Sequence, residues 1–234
     1  MKNLIFLFIS ALLIVSCNSI SGNGNIITEK RNIPEIHSVK NSGSIDIEIN
    51  SGDNYSLSVE DDENILPYIV SEVNDGVLNI HYKSGTVISN DQAKIFITAP
   101  SFDKIITSGS GNISTNGIIK SSKKLQISST GSGDVEAQVD APSISVSGSG
   151  SGNIKLSGRT KDFDCSTSGS GDINCGNLKS ENTNISISGS GNAHVFASVN
   201  LVAGTSGSGD IYYLGNPSST KIHASGSGTV QPQK

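Results

Sequence analysis

The chain has 234 residues, with 16 Lys and Arg against 21 Asp and Glu, and a formal net charge of −5. That balance argues against nucleic acid and anionic lipid as partners. There is no Trp, aromatics make up 5%, and the 26 glycines raise the question of whether the chain folds at all, because Gly/Ser-rich sequence is usually linker or disordered tract.

The first element is a targeting segment. Met1 to Ser16 carries one positive charge, Lys2, followed by an apolar run from Leu4 to Val15 broken only by Ser10. Such a run is too short to span a bilayer and fits a signal peptide. It ends Ile14-Val15-Ser16-Cys17, which resembles the bacterial lipobox, with an aliphatic residue at −3 and a small one at −1. That resemblance implies cleavage before Cys17, a diacylglyceryl thioether on its sulfur and acylation of the new amine; two or more acyl chains anchor a protein stably. An ordinary secretory signal with a chance Cys is the alternative. Asn18 stands where an Asp tends to hold Gram-negative lipoproteins at the inner membrane, so it is compatible with the outer membrane. Residues 18–30 read as a polar tether. Without Lys2 the mature chain carries 15 basic and 21 acidic residues, net −6.

Residues 31–107 form a less regular β region. Ile45-Asp46-Ile47-Glu48-Ile49 and Tyr55-Ser56-Leu57-Ser58-Val59 alternate apolar and polar, with Asn50 to Asn54 as a turn between them. Asp61 to Leu66 reads as one helical turn stopped by Pro67, and Val73-Asn74-Asp75-Gly76-Val77 as a hairpin. Leu78 to Tyr82 and Ile95 to Ile97 continue the strands. This region is expected to start the repeat structure that follows and to cap its open end.

From residue 108 to 234 one phrase recurs, Gly-Ser-Gly followed by Asn or Asp. It begins at Gly109, Gly131, Gly150, Gly169, Gly189, Gly207 and Gly226, at spacings of 22, 19, 19, 20, 18 and 19. A fixed pitch near 20 residues marks a repeat architecture. Four residues before each copy stand Ile105, Ile127, Val146, Cys165, Ile185, Ala203 and Ile222; four after stand Ile113, Val135, Ile154, Ile173, Ala193, Ile211 and Val230. Further columns at period two (Leu125, Ile144, Phe163, Thr183, Leu201, Thr220; Thr115, Ala137, Leu156, Cys175, Val195, Tyr213) complete a strand–turn–strand unit. Linkers keep no such columns. The fold expected is all-β: a single-stranded right-handed parallel β-solenoid (β-helix) with coils of about 19–20 residues. A β-propeller is the competing architecture, but its blades run to about 40 residues. Residues 31–234 are expected to form one domain.

The residue after each Gly-Ser-Gly runs Asn112, Asp134, Asn153, Asp172, Asn192, Asp210 and then Thr229. Carboxylates in adjacent coils would repel about 5 Å apart; alternation with Asn doubles that separation. Each Asn amide is expected to donate to the carboxylates on either side, and Ser110, Ser132, Ser151, Ser170, Ser190, Ser208 and Ser227 to form a hydroxyl ladder beside them. A row of calcium sites is the functional alternative, although the nine-residue calcium repeat is missing. Cys165 and Cys175 fall in core columns and are expected as free buried thiols rather than a disulfide. Tyr212 should face outward and Tyr213 inward.

The order of Ile45–Ile49, Asn64-Ile65-Leu66, Asn74-Asp75-Gly76-Val77-Leu78-Asn79-Ile80, Ala99-Pro100-Ser101-Phe102 and Ser108-Gly109-Ser110-Gly111-Asn112-Ile113 resembles the DUF2807 family, the "putative auto-transporter adhesin head" or GIN domain. The resemblance spans about residues 33–230. It implies a β-solenoid envelope protein, often a lipoprotein, and brings no catalytic or binding residues with it.

The search for chemistry is largely negative. His37, His81, His194 and His223 are scattered, and the zinc, redox, phosphate-loop and nucleophile-elbow motifs are missing. No catalytic residue, metal site or cofactor is implied. The function expected is a non-enzymatic, lipid-anchored cell-envelope protein that meets the membrane through Cys17 and presents a solenoid wall to a glycan or protein ligand. The alternatives are a periplasmic envelope-maintenance or stress-sensing module, and a polysaccharide-active β-helix enzyme.

Overall fold

The computed structural model describes residues 19–90 and 92–233; the signal segment, Cys17 and Asn18 lie outside the described residues. The chain is an all-β solenoid of stacked parallel coils. Two walls run along it. In the repeats, wall B is the strand leading into Gly-Ser-Gly and wall A the strand leaving it. Val135–Gly150, Ile154–Thr167 and Ile173–Ile187 each serve both walls, running along wall A and bending into wall B. The bend falls at Pro142: Ala141 pairs with Thr160 and Ser143 with Asp162, with no ladder pair at the proline between them, where its missing N–H costs nothing.

Register is kept by the apolar columns. Val135 pairs with Ile154 and Ile154 with Ile173; Ile127 pairs with Val146, Val146 with Cys165 and Cys165 with Ile185. Slipping one residue would turn every inward side chain outward. The column residues are buried, apart from the half-buried Thr115 and Tyr213 and the last coil, where Ile222 is 45% exposed. Cys165 and Cys175 are buried and unbridged; burial pushes the Cys165 thiol up and the Cys175 thiol up to about 12. Thr183 sits in an apolar column and is satisfied there, donating to the Phe196 carbonyl at 2.6 Å.

The uneven spacings have a local cause. Between Ser114 and Ile118 the chain takes four steps where the next coil takes two, Glu136 to Gln138. Lys120 to Lys124 then takes four where Asp140 to Ser143 takes three. Those three extra residues make the first spacing 22 instead of 19. A second bulge lies where Lys155–Asn174 gives way to Ser157–Asn177, adding one residue at Gly176.

The N-terminal region is not stacked in chain order. Ser38–Gly43 and Asp46–Ser51 form a coil whose one neighbour is the first repeat and whose other neighbour is built from Val77–Tyr82 and Lys94–Ala99. The two alternating strands around Asn50 to Asn54 are therefore not partners: Lys94–Ala99 lies between them, parallel to Asp46–Ser51 and antiparallel to Ser56–Asp62. Alternation reveals a strand and its faces but not its neighbour. The antiparallel strands Ile26–Arg31, Ser56–Asp62 and Ile69–Asn74 close this end of the stack, with Ile36, Leu57, Ile65 and Leu66 buried beneath. Asp75 and Gly76 turn the hairpin at φ 50° and 74°. The helical turn is a 3₁₀ turn at Leu66–Tyr68, and Pro67 lies inside it rather than stopping it, since a first-turn residue needs no N–H.

The segment expected as a tether is docked. Ser19–Ser21 pairs with Val87–Ser89, Gly24 N–H donates to Asp62 Oδ1 at 2.5 Å, and Ile26–Arg31 joins the sheet. Asn23 N–H donates to Asn64 Oδ1 and Asn25 Nδ2 to Glu63 Oε2, both at 3.0 Å.

Ile154, 0% exposed, tests the core assignment. Ile154→Asp buries an unpaired charge and should cost about 4 kcal/mol or more, read as a lower melting temperature and lost strand circular dichroism. A variant melting like the parent contradicts the packing described here.

Candidate functional site: the stacked corner and the outer wall

The corner is a stack of backbones. Ser132 and Gly133 N–H both donate to Gly109 O (2.8 and 3.1 Å), Ser151 and Gly152 to Gly131 O (2.8 and 3.2 Å), Ser170 and Gly171 to Gly150 O (2.8 and 3.3 Å). So close an approach excludes side chains: a Cβ on Gly171 would enter the van der Waals shell of Gly152 O, and one on Gly152 that of Gly133 O. Inside the corner a hydroxyl braces it: Thr107 and Thr205 donate to the carbonyls of Gly111 and Gly209 at 3.1 and 2.9 Å. The corner serines stack through their backbone N–H groups, and among the described residues none of their hydroxyls bonds to another.

The Asn/Asp column is a chain of side-chain acceptors. Asp134 N–H donates to Asn112 Oδ1 (2.9 Å), Asn153 N–H to Asp134 Oδ1 (2.7 Å), Asp172 N–H to Asn153 Oδ1 (3.0 Å), Asn192 N–H to Asp172 Oδ1 (2.8 Å) and Asp210 N–H to Asn192 Oδ1 (3.0 Å). Each side chain satisfies the backbone of the next coil, which Asn and Asp do equally well. The amide adds a bond on one side only: Asn153 Nδ2 donates back to Asp134 Oδ1 at 3.0 Å, as Asn112 Nδ2 does to Asp46 at 3.1 Å. The expected donation to both neighbours is replaced by this directional pattern, because Oδ1 faces the following coil.

Two members escape the sequence pattern. Asp46 starts the ladder, accepting from Asn112 N–H at 2.8 Å across 66 residues of chain. Ser42-Gly43-Ser44-Ile45-Asp46-Ile47 differs from Ser108-Gly109-Ser110-Gly111-Asn112-Ile113 in having Ile45 for the second glycine and Asp46 for Asn112, and an Asp before Asn112 continues the alternation; that was the available signal. At the other end Thr229 closes the ladder, its N–H and Oγ1 both donating to Asp210 Oδ1 (2.7 and 2.8 Å). These bonds hold the Asp210 carboxyl below the usual carboxylate range, the Thr229 backbone N–H contributing most. Among the described residues no group of three or more His, Cys, Asp or Glu comes together in a metal-binding arrangement.

The outer face of wall A carries a second cluster. His194 pairs in register with Tyr212, and their rings stack at 4.9 Å with 16° between planes. Tyr212 faces out, its hydroxyl donating to Asp210 Oδ2 at 3.2 Å, while Tyr213 packs on the core. Beside them Lys179 Nζ lies 4.1 Å from the Phe196 ring centroid.

The family described as "Putative auto-transporter adhesin, head GIN domain" matches residues 36–217. The chain belongs to this family. Among solved structures, a "putative adhesin" from Bacteroides fragilis matches at TM-score 0.86 and 24% identity, covering 92% of this chain and all of its own, which shows the shared fold. A "putative lipid binding protein" from Parabacteroides distasonis matches at TM-score 0.74 and 28% identity over 93% of this chain and all of its own. A "putative adhesin" from the same species matches at TM-score 0.70 and 25% identity over 92% of this chain and all of its own. No curated protein matches this chain in sequence.

Three substitutions test the corner. Gly171→Ala forces a Cβ against backbone and should cost about 2 kcal/mol or more in denaturant unfolding; parental stability contradicts the close approach. Asn153→Asp sets carboxylates at 134, 153 and 172 in succession and removes the Asn153 Nδ2 bond. Its carboxyls are then pushed up in the folded state, so the penalty, about 1–2 kcal/mol, is full at neutral pH and fades as pH falls through about 4. A deficit independent of pH contradicts the electrostatic part of that account. Thr229→Val removes one donor from Asp210, whose carboxyl should then titrate at higher pH by NMR.

Proposed function

We propose that this is a lipid-anchored, non-enzymatic interaction module of the cell envelope, adhesin-like, carried on the outer membrane by an acylated Cys17. Membership of a family described as adhesins supports an envelope or surface role. The observation that carries the rest is where the chain enters the fold. Ser19–Ser21 docks on Val87–Ser89 in the coil beside the antiparallel cap. Acyl chains on Cys17, two residues upstream, would hold the capped end at the membrane. The coils would then stack away from it, and both walls would face the surrounding medium.

A binding role also suits the chemistry of the corner. The carboxylates of Asp134, Asp172 and Asp210 each accept a backbone N–H from the next coil, so they serve the stack and are not poised as an acid–base pair. The Parabacteroides relative carries a lipid-binding name; in this chain columns such as Ile127, Val146, Phe163 and Ile185 fill the interior, so an acyl ligand would have to lie on a wall.

Cys17→Ser should move the protein from the membrane fraction to the soluble fraction and abolish labelling by a palmitate analogue; a variant that stays membrane-bound and labelled overturns the anchor. Protease shaving of intact cells, beside a periplasmic control, tests the display. Loss of the protein while the control survives is expected. Protection until the outer membrane is opened would remove the adhesin reading and leave a periplasmic module.

A further inference from the structure

Wall A has a depression of about 260 Å³ beside the ring cluster, lined by Lys155, Asn174, Gly176, Asn177, His194 and Gln233 among others. It exists because of the bulge. The extra residue at Gly176 interrupts the ladder between Lys155–Asn174 and Ser157–Asn177, and the glycine leaves the floor open: a Cβ there would come 3.0 Å from Leu214 Cδ1.

One side of the depression is a ring fixed in place. His194 is backed by Tyr212 at 4.9 Å, and its Nδ1 lies 3.0 Å from Gln233 Oε1. Lys155, Asn174 and His194 occupy successive coils of one outward column. Lys155 and His194 are thus two strand spacings apart, roughly 9.6 Å, with only the short Asn174 between them. Subtracting the thickness of the flanking side chains leaves a slot about as wide as one pyranose ring. The rim supplies the amides of Asn174, Asn177 and Gln233, groups that both donate and accept.

The chemistry selects among ligands. The cationic member, Lys155, is joined to Glu136 at 2.7 Å, which weakens the case for a phosphate or other strong anion. A short, half-polar slot does not suit an acyl chain. A sugar presents C–H faces to a ring and hydroxyls to amides, which matches this lining.

We propose that this depression binds one pyranose unit of a saccharide, the sugar's C–H face resting on the His194 imidazole and its hydroxyls meeting Asn174, Asn177 and Gln233. The proposal deepens the interaction-module reading above by naming the ligand class. With the capped end at the membrane, the slot lies toward the far end of the stack.

The test is an NMR titration of the folded protein, residues 19–234, with chitotriose, mannotriose and trigalacturonate, which present N-acetylated, neutral and acidic pyranoses. At least one should shift the amides of residues 174–177 and the His194 ring. His194→Ala should weaken that binding about tenfold. Gly176→Val, which fills the slot against a flexible leucine tip, should abolish it. Both variants should melt like the parent, because neither touches a corner glycine or the core; a variant that melts lower is replaced by Asn174→Leu, which blocks the same slot from an exposed position. The proposal is overturned if none of the three sugars perturbs these residues up to its solubility limit, or if binding persists undiminished in the slot-filling variant. Failure here leaves cell fractionation and shaving unaffected, whereas failure of those experiments would leave a sugar-binding solenoid in another compartment.

Discussion

Everything in this molecule depends on how closely one coil's backbone lies on the next at the Gly-Ser-Gly corner. The carbonyls of Gly109, Gly131, Gly150, Gly189 and Gly207 each receive two N–H donors from the following coil, and in the repeats a Cβ at either glycine would strike backbone. Backbone cannot rotate away as a side chain can, so a side chain at either glycine of a stacked repeat is costly. The corner acts as the spine on which the strands keep register. The Asn/Asp ladder runs beside it for the same reason: the N–H that follows the second glycine needs an acceptor, and a short side chain one coil away reaches it.

Because the corner is rigid, variation in coil length is displaced elsewhere. The bulges lie on wall A, between Ser114 and Ile118 and at Gly176. Wall B keeps an unbroken ladder through the repeats and an outer face of mostly small polar residues, with Asn182 Nδ2 donating to Asp162 and Asn200 Nδ2 to Asn182 at 2.8 and 2.7 Å. The bulge-made relief therefore arises on wall A, while wall B has a separate depression over Asp162, Asn182 and Asn200. The depression beside His194 is a consequence of an extra residue that the spine could not absorb.

The two ends differ as strand edges require. A parallel stack exposes unpaired N–H and C=O groups at each end, a hazard for edge-to-edge association. The N-terminal end is closed by antiparallel strands lying over a cluster of buried apolar residues. At the other end Ser219–Ala224 is exposed throughout. Pro232, in the last strand of wall A, removes one N–H from that edge.

The solenoid is legible in the local pattern of the chain. Its columns of Ile, Val and Leu at fixed distances from each Gly-Ser-Gly set the inward faces, the turn and the coil length, because those are local, periodic requirements repeated many times. That pattern also placed the alternating Asn and Asp in one line. What it did not determine were neighbours fixed by distant chain. Lys94–Ala99 slips between two strands that look like partners, Asp46 joins a ladder 66 residues away, and residues 19–31 dock where a free tether was expected. The ring cluster belongs with these: His194, Phe196 and Tyr212 are unremarkable in a chain poor in aromatics, and become a surface only when register sets one coil on the next. Periodicity encodes the repeat unit, while pairing across long loops is chosen by burial and hydrogen bonding that exist only once the coils are stacked.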